Sequence, residues 1–99
     1  MERITTTIKR TWLVAILEGR KKIEYREIKP YWTKKLGGLK KPFELHLLSG
    51  RRKNVPTITL LIHKVTINRR LQVYELHIKH IVGFTIHSSD VEAVAKLLW

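Results

Sequence analysis

The stretch Trp12-Leu13-Val14-Ala15-Ile16-Leu17-Glu18-Gly19-Arg20-Lys21-Lys22-Ile23-Glu24-Tyr25-Arg26-Glu27 changes its hydrophobic period midway, and that change decides the fold. Over Arg10–Glu18 the apolar residues Leu13, Ile16 and Leu17 recur at helical spacing, and Trp12 and Val14 widen the stripe. A stripe this wide is expected to pack closely on a protein body. Gly19 stands where a helix should stop, because glycine adopts the left-handed backbone that closes a helix. From Lys22 to Glu27 the period becomes two, with Ile23 and Tyr25 on one side and Lys22, Glu24 and Arg26 on the other. A helix running into a short strand with one charged face is therefore predicted, and Tyr25 is placed on the core side.

Outward from this unit the pattern is mostly strand. Arg3–Ile8 sets Ile4, Thr6 and Ile8 against Thr5 and Thr7, β-branched throughout. Pro30 ends the charged strand, and Tyr31–Leu36 reads as one helical turn stopping at Gly37-Gly38. Phe43–Ser49 alternates Phe43, Leu45 and Leu47 with Glu44, His46 and Leu48, and Gly50–Asn54 is a basic loop closed by Pro56. Thr57–Ile67 reads as a long central strand and Asn68-Arg69-Arg70 as a turn. Val73–Thr85 reads as a strand pair or one bent strand, with Gly83 at a bulge. Ser88-Ser89-Asp90 offers an N-cap for a last helix through Ala93, Val94 and Leu97 to Trp99. Four or five strands with two or three short helices predict one α+β domain over residues 1–99, a small mixed β-barrel. Helices confined to early and late positions argue against a doubly wound parallel sheet.

Twenty basic against eight acidic side chains leave a formal charge of +12 on 99 residues. A field of that sign attracts polyanions, and phosphate contacts gain by releasing condensed counterions. The absence of cysteine excludes disulfides, thiolate zinc sites and thiol nucleophiles, and fits a reducing compartment. The longest apolar stretches, Trp12–Leu17 and Thr57–Ile62, fall far short of the about 20 residues a membrane span needs. Glu2, Arg3, Lys9 and Arg10 interrupt the N-terminal segment before any signal-like hydrophobic run. A cytoplasmic chain without membrane association is expected.

Residues 12–27 resemble the signature of ASCH domains, a helix ending in Ile-Leu-x-Gly, then Lys, then a strand of the form Glu-x-Arg. The following Ile28-Lys29-Pro30-Tyr31-Trp32 is similar to a phage and bacterial branch with Tyr-Trp after the motif. Leu48–Pro56 and the strand after it are similar to that branch's Gly-x-x-Lys-Asn-x-Pro segment. The match is close over about the first third of the chain and looser over the rest. This resemblance implies a PUA-like barrel whose cleft is lined by the helix end and the first motif strand, and it implies RNA binding. One small branch of the family hydrolyses N4-acetylcytidine with a Lys, a Thr three residues later and a distant Glu. The Lys falls on Lys21, but Glu24 stands where that branch has Thr, and Glu75, Asp90 and Glu92 are the acidic residues late in the chain. A hydroxyl can attack an amide carbonyl, whereas a carboxylate serves as base or acceptor.

The candidate site is built on Lys21, Lys22, Glu24 and Arg26, an acceptor flanked by donors that suits a base edge and a phosphate. The bland alternative is a structural ion pair of Glu24 with Arg26 or Lys22, worth little if exposed. Tyr25, Tyr31 and Trp32 interleave with basic residues, the composition of a stacking platform for unpaired bases. Strand alternation places Tyr25 in the core and leaves one of Tyr31 and Trp32 for the cleft mouth, and Arg51, Arg52 and Lys53 are assigned to the phosphate backbone. Lys34-Lys35, Lys40-Lys41 and Arg69-Arg70 are further basic patches on what is otherwise a solvated surface. The histidines form no metal motif: His77 and His80 fall on opposite faces of a strand, and His46 and His63 could at most pair across neighbouring strands. No metal and no cofactor is implied. The leading reading is an RNA-binding module that holds RNA or one modified nucleotide in a basic cleft. The alternative is a small hydrolase of RNA or a modified nucleoside, a ribonuclease or an N4-acetylcytidine amidohydrolase, with Lys21 and Glu24 catalytic. Docking to an acidic protein partner is a third.

Overall fold

A computed structural model describes residues 1–85, and the helix predicted over 88–99 lies outside the described residues. The order is β1 (Arg3–Thr7), α1 (Arg10–Leu17), β2 (Ile23–Glu27), α2 (Pro30–Gly37), β3 (Phe43–Leu48), β4 (Thr57–Asn68) and β5 (Val73–Thr85). The strands form one mixed sheet in the order β1-β3-β4-β5-β2, with β1 parallel to β3 and every other pair antiparallel. The two strands that begin the chain are thus the two edges of the sheet.

The alternation of β3 decides which face is buried. Phe43, Leu45 and Leu47 are fully buried, and their register partners Ile62, Leu60 and Ile58 on β4 are buried with them. Ile4 on β1 and Leu76 on β5 extend this layer, and α1 and α2 add Leu13, Ile16 and Trp32 to the same cluster. The long hairpin β4–β5 curls because its register shifts between Thr59 and Lys64. Each shift leaves an unpaired residue and bends the strand. Thr59 pairs with Gly83 while Leu60 pairs with Ile81, so one of the irregularities sits beside the glycine. Val73–Thr85 is accordingly one bent strand. The result is a curled half-barrel of α+β type, open between β1 and β2.

Helix α2 is longer than the single turn predicted. Pro30 occupies its first turn, where a missing N–H costs nothing, and Lys34 and Lys35 sit in its last turn, where cations complement the helix dipole. No helix among the described residues is long and apolar enough to cross a membrane.

Candidate functional site

The open side of the half-barrel is a cleft of about 970 Å³. Its walls are the end of β1, Trp12 and Ala15 of α1, β2 as far as Arg26 and the start of the loop after β3. Among the described residues six cations reach it, Lys9, Arg20, Lys21, Lys22, Arg26 and Arg51, against one carboxylate, Glu24.

The helix end delivers the central lysine. Gly19 has φ +79°. Its N–H bonds the Ile16 carbonyl at 3.0 Å, and the Arg20 N–H bonds the Ala15 carbonyl at 3.0 Å. These paired bonds close α1 in a Schellman turn. The Lys21 N–H also reaches the Ala15 carbonyl, at 3.1 Å, so the chain leaves the helix with Lys21 turned toward the cleft.

Strand β2 keeps the predicted period of two, but its faces are reversed. Glu24 is 5% exposed and sits on the buried face beside Leu76, whereas Tyr25 is 46% exposed. Tyr25 is therefore not a core residue. Patterning assigned the apolar side of β2 to the interior, but β2 is an edge strand at the mouth of the barrel, and its inward face carries the charges. Taking a charge out of water costs several kcal/mol unless it is paired and hydrogen-bonded. Glu24 meets both conditions. Its Oε2 accepts from Arg26 Nη2 at 3.0 Å, and its Oε1 accepts from the Tyr25 N–H at 3.1 Å and faces Lys21 Nζ at 3.4 Å. Lys21 Nζ also donates to the Ile23 carbonyl at 2.7 Å. Arg26 Nη2 donates to the Thr7 carbonyl at 2.8 Å and so ties the free edge of β2 to the end of β1. The Arg26 guanidinium lies over the Trp32 ring at 5.2 Å, and its Nε is buried without a hydrogen bond. Three charges are thus interlocked at the cleft, and their sum is positive.

The other predicted residues separate into two groups. Lys22 and Arg51 line the cleft, while Arg52 and Lys53 are exposed on the same loop but outside the lining. Trp32 is not at the cleft mouth: it is 8% exposed and packs in the core beneath Arg26. Tyr31 is exposed, but it lines a separate groove of about 540 Å³ with Arg3, Lys34 and Lys35. Two aromatic residues that do face the cleft were given other roles by the sequence. Trp12, read as part of the packed helical stripe, is 50% exposed, and Tyr25 was assigned to the core. The signal for Trp12 was its position at the outer margin of the α1 stripe, one residue before Leu13.

Among the described residues the histidines stand apart from the cleft. His46 opposes Thr59 and not His63, with Nδ1 2.7 Å from the Thr59 hydroxyl oxygen. His77 Nε2 is 2.7 Å from the Thr66 hydroxyl oxygen, which donates to Glu75 at 2.8 Å. Among the described residues no three His, Asp or Glu side chains cluster in a way that could hold a metal ion. No protein-family model, no curated protein and no solved structure gives a significant match to this chain.

Proposed function

We propose that this chain is an RNA-binding module of PUA-like, ASCH type that holds RNA, or one modified nucleotide, in the cleft between β1 and β2. The observation that carries the reading is the Lys21–Glu24–Arg26 cluster, a fixed carboxylate between two cations at the bottom of a cationic cleft. Apolar side chains on this face would build a half-barrel at least as well, because buried ion clusters rarely stabilise more than packed hydrocarbon. A donor–acceptor–donor arrangement held in place before the ligand arrives suits a base edge, and the surrounding cations suit the flanking phosphates.

The hydrolase reading asks Glu24 to take a proton from water while Lys21 stabilises an oxyanion. Both carboxylate oxygens of Glu24 already accept from donors fixed by the fold, which favours recognition over base catalysis. Absence of turnover on acetylated cytidine and on mixed RNA is expected.

The test is fluorescence anisotropy of a labelled RNA across a salt series, with heparin as competitor, for wild type and for a Lys22→Ala/Arg51→Ala variant. Wild type should bind RNA more tightly than its charge alone explains. The variant should lose affinity, and its log–log salt slope should fall by about 0.7 per phosphate contact removed. Equal affinity for RNA and heparin, with the variant unchanged, would reject the reading.

A further inference from the structure

The cleft presents two aromatic faces that attraction of a polyanion does not require. Trp12 on α1 and Tyr25 on β2 stand about half exposed on its walls, although both rings carry enough apolar area to favour burial. They converge on one group. Lys21 Nζ lies 5.2 Å from the Trp12 ring centroid and 4.9 Å from that of Tyr25. The ammonium is held at both rings by the Ile23 carbonyl and by Glu24, and each cation–π contact in turn orders its ring. Arg20, Lys22 and Arg51 line the same cleft.

Ordered π faces beside backbone-tracking cations are what an unstacked base needs. A base inside a duplex has both faces covered by its neighbours and offers neither ring a surface. We infer that Trp12 and Tyr25 form the stacking surface for a single unpaired nucleobase, with Lys21 fixing both rings and the adjoining phosphates on Arg20, Lys22 and Arg51. The ligand class is therefore a nucleotide free of its stack, in a single strand or extruded from a fold, and not a base-paired helix. This rests on the reading of the cleft as a nucleic-acid site, and it adds the state of the base. The volume of about 970 Å³ lies at the upper end of ligand pockets, which run to about 1,000 Å³, and has room for a nucleotide.

The probes are a labelled single-stranded RNA, the same sequence annealed to its complement, and a free nucleoside monophosphate. They are titrated against wild type, Trp12→Ala, Trp12→Phe, Tyr25→Ala and Arg51→Ala at one salt concentration, with folding checked by circular dichroism. Wild type should prefer the single strand to the duplex by about tenfold or more, and each alanine variant at an aromatic position should lose about tenfold on the single strand. Trp12→Phe should retain most of the affinity. Saturable binding of the monophosphate would assign the site to one nucleotide, and binding of the strand alone would assign it to a nucleotide within a chain; both support the stacking surface. Equal affinity for duplex and single strand would overturn it. If Trp12→Ala and Tyr25→Ala bind as wild type while Arg51→Ala fails, the stacking surface is lost and the cationic cleft stands. If no variant differs from wild type, both are lost.

Discussion

Glu24→Ala removes the acceptor at the centre of the cluster and leaves Lys21 and Arg26 without a counter-charge. Their side chains are only 13% and 18% exposed, so water cannot fully replace the carboxylate. Breaking a buried pair from one side costs about 3–5 kcal/mol. Lys21 keeps the Ile23 carbonyl and Arg26 keeps the Thr7 carbonyl, which places the cost at the lower end, about 3 kcal/mol. For a domain of this size that corresponds to a fall in Tm of about 12–24 °C. Replacing the whole cluster, as Lys21→Met/Glu24→Leu/Arg26→Met, should behave in the opposite way. It removes every buried charge together and should return stability to within about 1 kcal/mol of wild type, while abolishing RNA binding. Calorimetry and urea denaturation on the wild type and both variants measure this directly. If the triple variant is as unstable as Glu24→Ala, the cluster is scaffold and its place in the cleft says nothing about function.

Two further outcomes follow from particular residues. Gly50 has φ +128° and a Cβ added there would lie 3.3 Å from Val55 Cγ1, so Gly50→Ala should cost about 1–3 kcal/mol. It should also weaken RNA binding by displacing Arg51, and an unchanged melting curve would contradict the strain. Burial holds the His46 imidazole below its ordinary value near 6.5, with Arg3 adding to the effect and Glu44 opposing it. The unfolded chain then takes up the proton first, so stability is full above that value and declines as pH falls from it toward the folded-state value. His46→Gln keeps a hydrogen-bonding group beside Thr59 and should flatten the stability profile as pH falls below about 6.5. An unchanged slope would rule His46 out as its source.

The sequence carried most of the strands because β3 and β4 are buried on one face and their alternation is strict over Phe43–Leu48. It carried the end of α1 because Gly19 has a conformational reason to be there. It gave the period of β2 correctly and its direction wrongly. The rule that apolar residues face inward holds where a strand has a core behind it, and β2 closes only one side of an open barrel. Lys21, Glu24 and Arg26 were therefore named as a group, while their burial and the exposure of Tyr25 were not foreseeable from pattern. Tyr31 and Trp32 show the same limit. Adjacent residues on a helix point in different directions, and α2 sends Trp32 into the core and Tyr31 to another groove. Among the basic runs outside the helix–strand motif, the loop after β3 brings one of its residues, Arg51, into the cleft, because that loop lies beside the end of β1.

On the proposed function the ligand lies between the two edge strands. An NMR titration of the isotope-labelled protein with single-stranded RNA tests it most directly, since the amides of the cleft walls are spread along the sequence. The expected result is saturable shift changes at Thr7–Trp12, Arg20–Arg26 and Gly50–Arg51, with little change at Lys34–Lys35, Lys40–Lys41 and Arg69–Arg70. Weak, non-saturating changes spread over all the basic runs, with β2 no different from the rest, would contradict the account and leave charge as the whole of the interaction.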